Sequence, residues 1–176
     1  FWGWGYEGQD IPQSEVLAMQ QRVAKRLGMT DFTILSDPTL DEIELRAPRI
    51  QPPASLASFC TTEKWERVAH TYGKSFHDLA MVYKRRFPNP PDIVAYPRDE
   101  KDIAAVLDWC GENGYAAVPF GGGSSVTGGI TPPDDSRYKG VVTIDLQNLN
   151  QVLEVDPISR AARIQGGTFG PSLEAQ

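Results

Sequence analysis

Residues 119–129 bring together the residue types that bind an anion through the protein backbone. Five of these eleven residues are glycine and three are serine or threonine. Glycine has no Cβ, so successive N–H groups can turn toward one point and form a concave anion site. A diphosphate is the expected occupant, and each hydroxyl can add a hydrogen bond to a charged oxygen worth about 1.5–3 kcal/mol. The candidate binding residues are Pro119, Phe120, Gly121, Gly122, Gly123, Ser124 and Ser125.

The glycine loop, by which we mean residues 121–129, departs from two familiar phosphate-binding motifs. A P-loop requires a lysine, and the sequence has none between Lys101 and Lys139. A Rossmann fingerprint requires glycine where Val126 stands and a helix after the loop, which the Gly-Gly and Pro-Pro pairs that follow oppose. Asp145 imitates the acidic ribose ligand of that fold, but we expect it to be a strand-end or turn residue. A flexible loop without a ligand is the alternative to a diphosphate site, and the position at a predicted strand end favours the site.

The elements predicted before the loop form a β-α-β unit. Apolar residues 93–96 predict a buried strand, and residues 116–119 predict a second one. Between them, Asp99 is suited to begin a helix as its N-cap and Gly114 to end it. A helical crossover of this length implies that the two strands are parallel.

Three further strands are predicted at residues 141–145, 152–155 and 161–165. The last two are joined by the turn-forming sequence Asp156-Pro157-Ile158-Ser159, so they should pair antiparallel. The chain is therefore expected to change from α/β to an antiparallel meander after residue 140. The expected fold class is α+β: a small parallel β-α-β sheet that runs into a meander and is preceded by an N-terminal helical arm.

The chain is predicted to divide into residues 1–87, an aromatic arm with a helical region, and residues 88–176, the domain that carries the loop. Residues 1–6 hold aromatic side chains separated by glycine, which we expect to dock on apolar surface. An amphipathic helix is predicted from Ser14, its N-cap, to Gly28.

Two apolar stripes at helical spacing cover residues 65–72 and 76–83. They fit either one bent helix or two short ones, with Ser75 as a candidate N-cap for the second. His70 and His77 lie off these stripes. We expect both to be solvated or boundary residues rather than catalytic ones.

Composition excludes several classes of function. The chain has 17 Lys and Arg against 23 Asp and Glu, a net charge of −6, so a basic nucleic-acid-binding face is not expected. No apolar run approaches the length of a membrane-spanning helix. Cys60 and Cys110 form no C-x-x-C pair, and we expect reduced core thiols and no metal site. Because the chain begins without Met and ends where a helix is starting, it is expected to be part of a longer polypeptide.

Residues 91–97, Pro119 and Phe120 with the glycine loop, and residues 152–173 resemble the first FAD-binding subdomain of the vanillyl-alcohol oxidase and p-cresol methylhydroxylase flavoproteins. In that family the loop backbone binds the FAD diphosphate, so the resemblance implies FAD as the cofactor. Relatives with covalent FAD near this loop carry a histidine there, and positions 121–129 have none. The resemblance thus implies non-covalent FAD, with the catalytic residues C-terminal to this stretch and none within it.

Residues 2–6 and 67–79 resemble the alkyldihydroxyacetonephosphate synthase branch of the same family. This resemblance implies an FAD-dependent enzyme of ether-lipid synthesis that exchanges the acyl chain of acyl-dihydroxyacetone phosphate for a fatty alcohol. One alternative is an FAD-linked oxidase or dehydrogenase of a 2-hydroxy acid such as D-lactate or glycolate, and another is a non-catalytic fragment. Expected partners are a small lipid or hydroxy-acid substrate, a second copy in a homodimer and a membrane surface touched peripherally. The expected location is the cytoplasm, or the peroxisome in a eukaryote.

Overall fold

The computed structural model describes residues 11–30 and 35–176, so the prediction for the aromatic residues 1–6 lies outside the described residues. Its central sheet has four strands in the order β1-β2-β4-β3. These are β1 (Cys60–Thr61), β2 (Ile93–Ala95), β3 (Ala116–Phe120) and β4 (Val141–Asp145). β4 pairs parallel with both β2 and β3, while β1 pairs antiparallel with β2. Every residue of β2 and β4 is buried, as expected for parallel strands covered on both faces.

The predicted β-α-β unit is present, with helix α4 (Glu100–Asn113) between β2 and β3. The Asp99 carboxylate accepts a 2.9 Å hydrogen bond from the Asp102 N–H at its start, and Gly114 ends it with a φ of +71°. The strands that α4 joins are parallel, but β4 lies between them. Because β4 belongs to the parallel sheet, the antiparallel meander begins after residue 145 and not after residue 140.

The meander is a separate two-stranded sheet made by β5 (Val152–Asp156) and β6 (Ala161–Ile164), paired antiparallel. Its predicted turn is formed as expected: the Asp156 carboxylate accepts hydrogen bonds from the Ile158 N–H at 2.9 Å and the Ser159 hydroxyl at 2.6 Å. The short helix α5 (Gly170–Ala175) follows.

The main core lies between α4 and the sheet, where Val106 and Cys110 pack against strand residues such as Ile93 and Ile144. Ile50, Leu56 and Phe59, from the first part of the chain, complete this core. The division at residue 87 therefore remains a proposal, and the first part supplies both a strand and core side chains to the sheet of the second.

The buried carboxylate of Asp92 ties the first part of the chain to the sheet. It pairs with Arg46 and Arg49, at 2.7 Å from Arg49 Nη2, and accepts the Val141 N–H at 2.8 Å. Burial alone would raise the pKa of Asp92, but the hydrogen bonds from Arg49 and Arg46 outweigh it and lower that pKa to about 2. Asp92 is therefore a charged clamp within the fold.

The helices of the first part are α1 (Gln13–Leu27), α2 (Lys64–Ala69) and α3 (Phe76–Tyr83). The predicted end of α1 at Gly28 is confirmed, with φ +64°, but its N-cap is Pro12 and not Ser14. No residue of α1 is buried, so its predicted apolar stripe faces outward. In the described ranges no helix is both long and apolar enough to cross a membrane.

Between α2 and α3 the chain bends, so the two short helices are the correct alternative. Ser75 caps α3 as predicted: its hydroxyl accepts the Asp78 N–H at 3.0 Å, and the Asp78 carboxylate accepts the Ser75 N–H at 3.2 Å. Five residues, 70–74, therefore separate α2 from the Ser75 cap, and among them are Gly73 and Lys74.

Candidate functional site

The glycine loop leaves the carboxyl end of β3, which is an edge strand of the sheet. Pro119 lies in β3 opposite Ile144, and an edge position tolerates proline because the missing N–H would have faced away from the sheet. Phe120 lies opposite Asp145, and its carbonyl accepts the Leu146 N–H at 2.9 Å. Gly121, the first loop glycine, therefore follows the β3 residue that is paired with the last residue of β4.

The first half of the loop presents a row of unused backbone donors. Within the described part of the chain, the N–H groups of residues 121–126 donate to no protein acceptor. Gly123 is buried and has a φ of +65°, a left-handed conformation that changes the direction of the chain within this row. Consecutive free N–H groups around such a bend are what an anion requires of a protein backbone.

Aromatic rings explain why glycine occupies two of these positions. A Cβ on Gly122 would lie 3.1 Å from Cε1 of Phe169, and a Cβ on Gly123 would lie 2.7 Å from Cζ of Phe120. A side chain at either position would therefore have to displace an aromatic ring.

The second half of the loop is anchored to the segment between α2 and α3. The Ser125 carbonyl accepts the Lys74 N–H at 2.7 Å, and a Cβ on Gly73 would overlap that carbonyl oxygen. The Ser125 hydroxyl accepts the N–H groups of Gly129 at 3.0 Å and Thr127 at 3.4 Å, which leaves its proton to be donated outward. The loop is therefore anchored to the rest of the fold at Ser125.

His70 is buried, and the prediction of a solvated or boundary histidine is wrong for this residue. Its ring is held between the Asp145 carboxylate, at 2.8 Å from Nε2, and the Glu66 carbonyl, at 2.7 Å from Nδ1. Its partner Asp145 is 75 positions away in the sequence, and no local pattern signals such a pair. The prediction holds for His77, whose side chain is 78% exposed.

Asp145 is a strand-end residue, as predicted. Its Oδ1 accepts the Gln147 N–H at 2.8 Å, while its Oδ2 contacts His70. Nearby, the Tyr96 hydroxyl donates to the Glu66 carboxylate, and burial followed by this hydrogen bond raises the pKa of Tyr96. A search of the described residues finds no group of three or more His, Cys, Asp or Glu side chains placed to hold a metal ion.

Comparison with known proteins places this loop in a recognised domain. Residues 91–176 match the family model described as an FAD binding domain. Alkyldihydroxyacetonephosphate synthase of Dictyostelium discoideum is 35% identical over 114 residues, which are 65% of this chain and 18% of that protein. Mitochondrial D-lactate dehydrogenase [cytochrome] of Arabidopsis thaliana is 35% identical over 103 residues, 58% of this chain and 17% of that protein.

A solved structure of alkyldihydroxyacetonephosphate synthase is similar over 82% of this chain and 29% of that one, with a TM-score of 0.70 and 30% identity. The chain spans about a fifth of the length of the curated relatives it matches. The structural match extends beyond the FAD-binding segment, because that segment is only about half of the chain.

The geometry fits one portion of FAD. The free N–H groups of residues 121–126 suit the anionic diphosphate, and the glycines at 122 and 123 let the Phe169 and Phe120 rings pack directly against the loop backbone. Each of these groups belongs to the backbone, so the fit depends on the shape of the loop.

Proposed function

We propose that the whole protein is an alkyldihydroxyacetonephosphate synthase-like enzyme. The proposal starts from the premise that residues 91–176 belong to the FAD-binding domain family and that FAD is their cofactor. It would exchange the acyl chain of acyl-dihydroxyacetone phosphate for a fatty alcohol and so make an ether bond. The observation that carries this proposal is the match to the synthase structure over 82% of the chain, which includes residues outside the FAD-binding segment.

In this proposal the glycine loop binds the FAD diphosphate. Residues 121–125 donate backbone N–H groups, and the Ser125 hydroxyl contributes its remaining proton. Pro119 and Phe120 fix the start of the loop at the sheet edge. Attachment is non-covalent, since the loop offers no histidine.

Bound FAD would supply the electron-accepting ring system on which the chemistry depends. The residues of this chain do not act on the substrate; they hold the diphosphate and set the position of the dinucleotide. The groups that move protons and bind the lipid are proposed to lie outside residues 1–176.

A second candidate is an FAD-linked dehydrogenase of a 2-hydroxy acid, because the chain is 35% identical over 103 residues to a D-lactate dehydrogenase. The two activities are distinguished with the purified full-length protein. We expect it to convert palmitoyl-dihydroxyacetone phosphate and a fatty alcohol to the ether product, detected by mass spectrometry. Dye reduction with D-lactate or glycolate, without ether product, would instead establish the dehydrogenase. A yellow protein inactive in both assays would contradict both.

The remaining expectations concern partners and location. We propose a small lipid substrate with peripheral membrane contact in the whole protein, and a cytoplasmic location or a peroxisomal one in a eukaryote. We also propose a homodimer through the hairpin of β5 and β6, whose Val155 and Ile158 side chains are 68% and 95% exposed. Sedimentation of the full-length protein with liposomes, and its mass in solution, test these two contacts.

A further inference from the structure

The segment of residues 70–74, directly after α2, contacts the end of the sheet at one point and the glycine loop at another. At its start, the buried ring of His70 is fixed by Asp145 on one side and by the Glu66 carbonyl on the other. At its end, the N–H of Lys74 donates to the Ser125 carbonyl at 2.7 Å. Residues 70–74, which lie outside the FAD-binding segment, therefore contact the end of the sheet from which the loop leaves. They also contact Ser125, near the far end of the row of free N–H groups.

The His70 ring supports the loop through Phe120. The centroids of these two rings lie 4.4 Å apart at an angle of 54°, a packed contact between aromatic planes. The other end of the Phe120 ring fills the space at Gly123, where an added Cβ would lie 2.7 Å from Cζ. The contacts thus run in sequence from Asp145 to His70, from His70 to Phe120, and from Phe120 to the left-handed Gly123.

Asp145 connects this series of contacts to the sheet. It is paired in register with Phe120 across β3 and β4, and its second oxygen accepts the Gln147 N–H at 2.8 Å. The carboxylate therefore has one oxygen for the backbone just after β4 and one for His70. Movement of the imidazole would remove the support on which the Phe120 ring rests.

We propose that His70 and Asp145 are positioning residues, which hold the glycine loop in its binding shape before the cofactor arrives. This inference rests on the proposed diphosphate site. A loop shaped in advance loses less conformational entropy on binding, so its affinity for a diphosphate is higher than that of a loop that must be ordered by the ligand. A pair that merely stabilised the fold would change the unfolding temperature and leave the affinity of the folded protein unchanged.

The test compares His70→Asn with Tyr72→Phe in the full-length protein. Tyr72 is a matched control because it is buried two positions away and its hydroxyl donates to the Arg86 carbonyl at 2.8 Å, away from the loop. Titrations with FAD and with ADP, which carries a diphosphate but no flavin, give the dissociation constants, and thermal unfolding gives the stability of each apoprotein. We expect His70→Asn to raise both dissociation constants about tenfold or more and Tyr72→Phe to change them less than about twofold.

Asp145→Ala is the second variant and decides the matter if His70→Asn does not fold. It removes the carboxylate that faces Nε2 of His70 and leaves no amide that could donate to that nitrogen, so we expect a similar rise for both ligands. Unchanged dissociation constants in the folded variants, with wild-type protein that binds FAD, would overturn the positioning role and leave the proposed function intact. Wild-type protein that binds neither FAD nor ADP would overturn both.

Discussion

Gly122 lies in the row of free N–H groups that we propose to bind the diphosphate. In Gly122→Asp, the new Cβ would be 3.1 Å from the Phe169 ring, and the new carboxylate would repel a diphosphate. We expect the full-length variant to lose at least about 2 kcal/mol of FAD binding, roughly a 30-fold rise in Kd. Bound FAD is measured from the flavin absorbance after gel filtration.

Gly111→Asp is the control for this change, because a Cβ at that exposed helical position meets no atom within 4 Å. It adds the same charge and should retain the FAD content of the wild type. Normal FAD content in Gly122→Asp would contradict the assignment of the diphosphate site to this loop.

Gly73 permits the close approach of the loop to the segment between α2 and α3. Its missing Cβ leaves room for the Ser125 carbonyl, so Gly73→Ala should push the loop away and destabilise the fold by about 1–3 kcal/mol. Urea unfolding measures this loss. Gly170→Ala, where a Cβ meets open space, is the control and should leave the midpoint within error. Equal midpoints for the two variants would mean that the loop and Gly73 do not touch in solution.

At the scale of elements, Asp92 fastens the stretch containing Arg46 and Arg49 to β2 and β4. Its folded pKa of about 2 lies below the unfolded value near 3.8, so the stabilisation is complete above about pH 5 and is lost as the pH falls toward 2. Asp92→Asn should therefore lower the free energy of unfolding at pH 7 by about 2 kcal/mol and by less at pH 3. Denaturant unfolding at both pH values checks this.

Asp135→Asn serves as the comparison for Asp92→Asn, because Asp135 pairs with Arg137 on a surface loop. It should have little effect at either pH. A loss in Asp92→Asn that is as large at pH 3 as at pH 7 would contradict the assigned charge on Asp92.

The sequence allows elements to be predicted where their signals are local. The ends of α4 at Asp99 and Gly114 could be predicted because a cap acts within three or four residues of the helix end. The glycine loop could be predicted because its glycines directly follow a strand. The prediction of Ser14 as an N-cap was wrong because α1 begins one residue earlier than Ser14, with Pro12 as its N-cap. The pairing of His70 with Asp145 and the insertion of β4 between β2 and β3 depend on contacts between distant residues, which no periodicity encodes.

For the whole molecule, the loop chemistry predicts how the flavin is held. No His, Cys or Tyr lies between residues 121 and 131, so flavin should be released intact when the full-length protein is denatured. Acid precipitation followed by fluorescence of the supernatant and pellet measures this. Fluorescence that remains with the pellet, and maps to a peptide from this loop, would contradict non-covalent attachment.

Residues 1–176 alone should fold around the central sheet but bind FAD weakly and catalyse nothing. In our proposal the loop contributes only backbone N–H groups and the Ser125 hydroxyl to the diphosphate, whereas ligands of this size obtain most of their affinity from apolar surface closed over them. Calorimetric titration of the isolated chain with FAD tests this. A sub-micromolar Kd would show that residues 1–176 contain the flavin walls as well.

The position of β4 in the middle of the sheet also determines when the glycine loop can acquire its shape. A ribosome completes β3 and the loop before it has made β4, the strand that both β2 and β3 require as a neighbour. Until Asp145 has left the exit tunnel, Phe120 has no strand to pair with and His70 has no carboxylate. The nascent loop therefore lacks two of its supports at first, and it gains them only when β4, a strand made after it, takes its place between β2 and β3.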